Sequence, residues 1–164
     1  MRKHVIGLGA AAGLAMLSNA AQAATATSNF QVRLTITAQC LAATANDLDF
    51  GSSGFLSSAV DVQSSISVTC TNTTPYNVGF DKGVNGASVT ARQLKGGPSD
   101  ELISYAIYSN AGRTTNWGNT VGTDTVAGTG NGSAQTIQVY GRVPVQTTPT
   151  PGNYTDTITV TVTY

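Results

Sequence analysis

The sequence predicts an all-β fold, built as an antiparallel sandwich of two sheets. Apolar and polar side chains alternate at period two in six separate segments. Those segments are rich in β-branched residues, and long helix-forming runs are absent. Clusters of Gly, Pro, Asn and Asp separate them at short intervals. Several short strands at this spacing fit an Ig-like plan.

The first segment covers residues 29–37. Phe30, Val32, Leu34 and Ile36 share one parity there, with Asn29, Gln31, Arg33 and Thr35 on the other. The second carries Val60, Val62, Ile66, Val68 and Cys70. Tyr76, Val78 and Phe80 mark the third, and Ile103, Tyr105 and Ile107 the fourth. Ile137, Val139, Gly141, Val143 and Val145 mark the fifth. The last has Ile158, Val160, Val162 and Tyr164, opposed by Thr157, Thr159, Thr161 and Thr163. Turns are expected at Gly51-Ser52-Ser53-Gly54, Asp81-Lys82-Gly83, Lys95-Gly96-Gly97-Pro98 and around Pro149 to Gly152. Residues 111–133 are polar and Gly-rich, and read as a long excursion with room for short strands.

The beginning of the chain has a different character. Arg2, Lys3 and His4 precede an apolar run over residues 5–17. That run is too short to cross a hydrocarbon layer of about 30 Å. It leads into Ala21-Gln22-Ala23, a small-x-small cleavage pattern. These features predict a secretory signal peptide over residues 1–23.

Composition narrows the chemistry. Only 10% of residues are charged, and 8 basic residues balance 8 acidic ones. No basic footprint for nucleic acid is present. The one His lies within the signal peptide, so its removal excludes Ser-His-Asp and Cys-His catalysis and His-ligated metals. No metal, cofactor or small-molecule substrate is expected, and the chain is read as non-enzymatic. Cys40 and Cys70 are the only cysteines. In an exported protein they are expected to form a disulfide, worth about 3–4 kcal/mol in the chain-entropy account.

Both ends of the exported chain are unusual for a closed sandwich. The final alternating run reaches Tyr164 with no further strand after it. The run over residues 157–164 has no charge and no Pro, and would pair readily at an open edge. At the other end, a short lead precedes the well-alternating 29–37 segment. Either that segment is the first strand of its own sandwich, or its apolar face fills a gap in another chain. Burying four such side chains is worth roughly 6–12 kcal/mol before ordering costs.

Further residues carry a resemblance. They are Cys40; Asp47-Leu48-Asp49-Phe50-Gly51; Val68-Thr69-Cys70; Pro75-Tyr76; Tyr105-Ala106-Ile107-Tyr108; Trp117-Gly118; Tyr140-Gly141-Arg142-Val143-Pro144; and Gly152-Asn153-Tyr154-Thr155-Asp156-Thr157, leading to Tyr164. In this order they resemble the spore coat protein U-like domain family, which includes pilins of the archaic chaperone–usher type. The resemblance implies an incomplete Ig-like sandwich lacking its last strand, completed by a donor strand from another subunit. It implies a signal peptide over 1–23, a donor segment over 24–38 and a pilin domain over 39–164. Phe30, Val32, Leu34 and Ile36 become the donor face. Ile158, Val160, Val162 and Tyr164 become the groove strand that a chaperone or neighbour engages. Implied partners are a periplasmic chaperone, an outer-membrane usher and neighbouring pilus subunits. The implied location is the cell surface, and the implied roles are attachment and biofilm formation. Rival readings are a self-complemented spore-coat or outer-layer protein and a secreted carbohydrate-binding module.

Other candidate residues read as structural. Trp117, the only Trp, could present a sugar platform, but a packing role fits better. Asp47, Asp49, Asp61, Asp81, Asp100, Glu101, Asp124 and Asp156 are scattered through expected turns and strand ends, which suits capping rather than a glycosidase pair. Gly152 serves turn geometry. Asn72, Asn131 and Asn153 head glycosylation triplets, which matter only in a host that modifies them.

Overall fold

The computed structural model describes residues 22–41 and 43–164. The expected signal peptide lies outside these residues, apart from its last two positions. The chain divides into two units, Met1–Leu34 and Thr35–Tyr164. The described residues of the first unit form neither helix nor strand. Phe30, Val32 and Leu34 are exposed, as is Ile36 at the start of the second unit. Residues 29–37 form no strand among the described residues. Their alternating pattern is present, but no ladder satisfies their backbone groups.

The second unit contains β1 (Thr44–Ala45), β2 (Val60–Thr69), β3 (Pro75–Phe80), β4 (Arg92–Gly96), β5 (Glu101–Tyr108), β6 (Val126–Thr129), β7 (Ala134–Val143), β8 (Tyr154–Thr155) and β9 (Val160–Thr163). One sheet has the order β1-β2-β7-β5-β4-β8, the other β6-β3-β9. Every ladder is antiparallel. No helix occurs among the described residues. The architecture is the expected all-β, Ig-like sandwich.

Period-two patterning explains the core. The β2–β7 ladder runs in register from Val60↔Val143 to Thr69↔Ala134. Its inward positions include Ile66, Val68, Val139 and Val143, all buried. Tyr105 and Ile107 extend that inner face on β5. Tyr76, Val78 and Phe80 close it from β3 in the other sheet. Cys40 and Cys70 are bridged, as expected for an exported chain. Gly141 also faces inward. A Cβ there would lie 2.7 Å from Leu48 Cδ2 and 3.0 Å from Phe50 Cζ, so only glycine lets residues 48–50 pack this closely.

Three details differ from the sequence pattern. Lys95 and Gly96 belong to β4 rather than to a turn. The reversal begins at Gly97, whose φ of 69° suits glycine. Val145 continues the parity of β7 but lies beyond it and is exposed. The last strand is shorter than the alternation, because the Thr159 N–H donates to the Asp81 side chain instead of to a backbone carbonyl.

Trp117 is fully buried, which removes the sugar-platform reading. Its Nε1–H donates to the Val78 carbonyl at 2.8 Å, and its ring meets Phe80 edge-on at 4.7 Å. Arg92 is buried beside it. Arg92 Nε donates to the Asp81 carbonyl, while Nη2 donates to those of Phe80 and Trp117. Together these side chains fasten the 109–125 excursion to the end of β3. Trp117→Phe keeps a ring but removes the indole N–H that donates to the Val78 carbonyl. It should lower unfolding stability by about 1–3 kcal/mol, measured by urea titration.

Candidate functional site

A cleft of about 1070 Å³ opens between the sheets. Residues 45–54 form one wall and residues 148–158 the other. Its floor is core: Leu56, Ile66, Phe80, Leu94, Ile103 and Tyr105 all line it. β9 borders this opening and, among the described residues, is hydrogen-bonded to β3 alone. No described strand pairs with its other edge, which carries the main-chain groups that an added strand would need. The shape is a trough with an apolar floor and polar rims, with no cluster of His, Cys, Asp or Glu suited to a metal among the described residues.

The expected groove residues lie along this trough. Ile158 and Val160 line the cleft, and together with Val162 they are partly buried against the core. The alternation extends back to Tyr154 and Asp156, which are also half-buried, with exposed Thr or Tyr positions between and after them. Tyr164 lies outside β9 and is exposed, so it packs less than its parity suggests. The opposite wall is the segment after β1. It is held by the two-residue β1–β2 ladder, by Leu48 and Phe50 in the space over Gly141, and by an Asn46–Ser65 side-chain bond. Asp49 caps the turn at its end by accepting from the Gly51 N–H.

A polar network that the sequence pattern did not reveal holds the β8–β9 wall. Tyr105 Oη donates to Asp156 Oδ2 at 2.7 Å. Asp156 Oδ1 accepts from the Val84 and Asn85 backbone N–H groups and from the Asn85 side chain. Burial, reinforced by the neighbouring Asp156, pushes the Tyr105 phenol far above its ordinary range, so it stays a donor. Further along, the Asp81 backbone N–H donates to the Thr159 carbonyl, and Asp81 Oδ1 accepts from the Gly83 and Thr159 N–H groups. Burial opposes ionisation of Asp81, but these backbone donors outweigh it and hold the carboxyl below the usual carboxylate range. Glu101 fastens the loop before β8. Its Oε2 accepts from the Thr150 side chain and backbone and from Tyr154 Oη.

On the outer face, Arg142 forms a bidentate pair with Asp61, both bonds 2.7 Å, and lowers that carboxyl's pKa. Asp81, Asp49 and Asp124 each cap a turn. Asp49, Asp61, Asp81, Glu101, Asp124 and Asp156 thus hold turns, loops and strand ends. Asp81→Ala should lower stability by about 1–3 kcal/mol at pH 7. The Asp81 pKa is depressed in the fold, so its contribution is complete above the unfolded value of about 3.9 and is lost as pH falls through the lower folded value. Urea unfolding should therefore show wild type and variant converging below pH 4. A gap independent of pH would contradict this role.

Comparison with known proteins places this geometry. Residues 26–161 match the family model of the Spore Coat Protein U domain. The chain is 32% identical to Protein U of Myxococcus xanthus over 178 aligned positions, covering 100% of this chain and 98% of that protein. It also superposes on a chain of the CsuC-CsuE chaperone-tip adhesion subunit pre-assembly complex, from the archaic chaperone-usher Csu pili of Acinetobacter baumannii. The TM-score is 0.57 at 26% identity, over 79% of this chain. The match spans 40% of the length of that structure's chain. With a family model covering most of its length and a full-length relative, the chain belongs to the Spore Coat Protein U domain family.

Proposed function

We propose that this protein is a structural subunit of a chaperone–usher surface pilus, in which the 29–37 segment of one copy completes the open sandwich of the next. The observation that carries this reading is the apolar cleft beside the unpaired edge of β9. The exposed face of Phe30, Val32, Leu34 and Ile36 complements it. Those four side chains repeat every second residue over about 20 Å of extended chain. An entering strand would supply main-chain bonds to β9 and cover the floor with alternate side chains, while Gln31, Arg33 and Thr35 face outward.

The division into a donor segment over 24–38 and an acceptor domain over 39–164 follows from the same reading. A periplasmic chaperone protects the cleft after export, and an outer-membrane usher exchanges it for the next subunit. Head-to-tail filling joins two different surfaces and does not close, so it grows a filament at the cell surface. Attachment and biofilm formation are the roles such a filament serves. The likeness to a chaperone–tip subunit complex supports this reading, as does the signal peptide pattern. The protein acts by assembly and needs no catalytic group.

The test uses the full chain with a second copy of residues 29–37 joined after Tyr164 by a flexible linker. The fused chain should be monomeric by size exclusion and more resistant to urea. Four side chains at about 1.5–3 kcal/mol each, less the ordering cost, set the scale. Leu34→Asp in the added copy should abolish the gain, and in the natural segment it should stop polymerisation. If the added segment changes nothing and stays protease-sensitive, the sandwich is complete without it. The self-complemented coat-protein reading would then take its place.

A further inference from the structure

We infer that Phe55 of one copy seats in the hollow beside Leu41 of the next, giving successive copies of this chain a second contact outside the groove. The inference rests on the groove reading, but different residues carry it.

The two ends of the sandwich differ. β2 separates them by about 30 Å, from Val60 to Thr69. At the Val60 end, Phe55 is 78% exposed. Its exposure is built in. The Leu56 N–H donates to Thr148 Oγ1, the Gln146 N–H donates to the Leu56 carbonyl, and Ser53 Oγ donates to the Phe55 carbonyl. An aromatic held outward on a braced backbone loses little freedom on docking. Val145, also exposed, follows β7 at this same end.

At the Cys70 end lies a hollow of about 290 Å³, lined by Gln39, Leu41, Thr69, Cys70, Thr71 and Gly132. It carries no charged side chain, and Leu41 is 60% exposed. Its backbone is also fixed. Leu41 N–H donates to the Thr69 carbonyl, Thr71 N–H to that of Gln39, and Gly132 N–H to that of Cys70. The disulfide pins the same place.

Chain connectivity brings these ends together. β9 runs toward the Cys70 end, because Val160 pairs with Phe80 and Thr163 with Asn77. An antiparallel donor, the more stable pairing, runs the other way and leaves the groove at the Phe55 end. The reverse direction would bring it out where the receiving copy's own lead departs, and the two would crowd. From Ile36, four residues reach Cys40 of the donating copy, a span of at most about 14 Å. The donating copy's hollow is thereby held at the mouth from which Phe55 projects. Both surfaces are mainly apolar, and the contact joins unlike ends as the polymer requires.

The test is photocrosslinking in polymers of the full chain carrying Phe55→p-benzoylphenylalanine, assembled from mixed light and heavy isotope-labelled copies. The expected product is an inter-chain crosslink to the peptide holding Gln39 and Leu41 or to that holding Thr69 to Thr71. Phe55→Asp and Leu41→Asp should each make polymers dissociate at least several-fold faster in denaturant. Neither should move the urea midpoint of the monomeric fusion that carries its own donor copy. Crosslinks only elsewhere, or none, overturn the contact, as do Phe55→Asp polymers as durable as the parent. If the fusion gains no stability and no polymer forms, the groove reading fails and this contact falls with it.

Discussion

An apolar interior open to water on one side is the constraint on which the rest of this structure depends. The two sheets bury Ile66, Val78, Tyr105 and their neighbours against one another, yet the cleft beside β9 leaves part of that interior uncovered. Burial of apolar surface is the main favourable term in folding. An uncovered trough therefore leaves stability unrealised and exposes a pairing edge at the same time. The surrounding features make sense as supports for walls that lack a central strand to hold them.

Each wall is secured differently. In the β8–β9 wall, β8 pairs only with β4 and β9 only with β3 among the described residues, and polar side chains supply further tethers. Asp156 ties it to Tyr105 and to the 84–85 backbone, and Asp81 ties Thr159 to the end of β3. Glu101 secures the loop that leads into it. Carboxylates suit this task, because each can accept several N–H and O–H bonds at once. The opposite wall is held mostly by packing. Leu48 and Phe50 fit over Gly141, where any side chain would push them away.

The sheet skeleton was legible in the sequence because most of the core lies on period-two strands. Ile66, Val68, Val78, Tyr105, Ile107, Val139 and Val143 were all placed by parity, and all are buried. β4 was not legible. It contains one large apolar residue, Leu94, and its Lys95-Gly96 end has turn composition. β1 and β8, at two residues each, are too short for any period to register. The tethering network was hidden for another reason. Tyr105 and Asp156 are 51 residues apart, and their bond depends on tertiary packing rather than on local pattern. Arg92 was hidden in the same way, since a buried cation held by three carbonyls leaves no trace in composition or spacing. The apolar face of 29–37 was visible at once, but alternation alone could not tell a strand of this sandwich from a strand offered to another.

The position of the disulfide follows from the same constraint. β1 pairs with β2 through only two residues, too few to hold the 43–50 wall alone. Cys40 lies just before that wall and Cys70 just after β2, so the bridge staples the start of the wall to the end of the longest ladder. It joins residues 30 apart, a span at which closure removes about 3–4 kcal/mol worth of unfolded-state freedom. Hydrophobic packing could not take its place, because the groove floor that would supply it is uncovered. A covalent tie at this point keeps one wall of the open trough in register. It also fixes the place where the exposed lead leaves the domain. A single bond thus fixes both one wall of the trough and the point from which the exposed N-terminal lead departs.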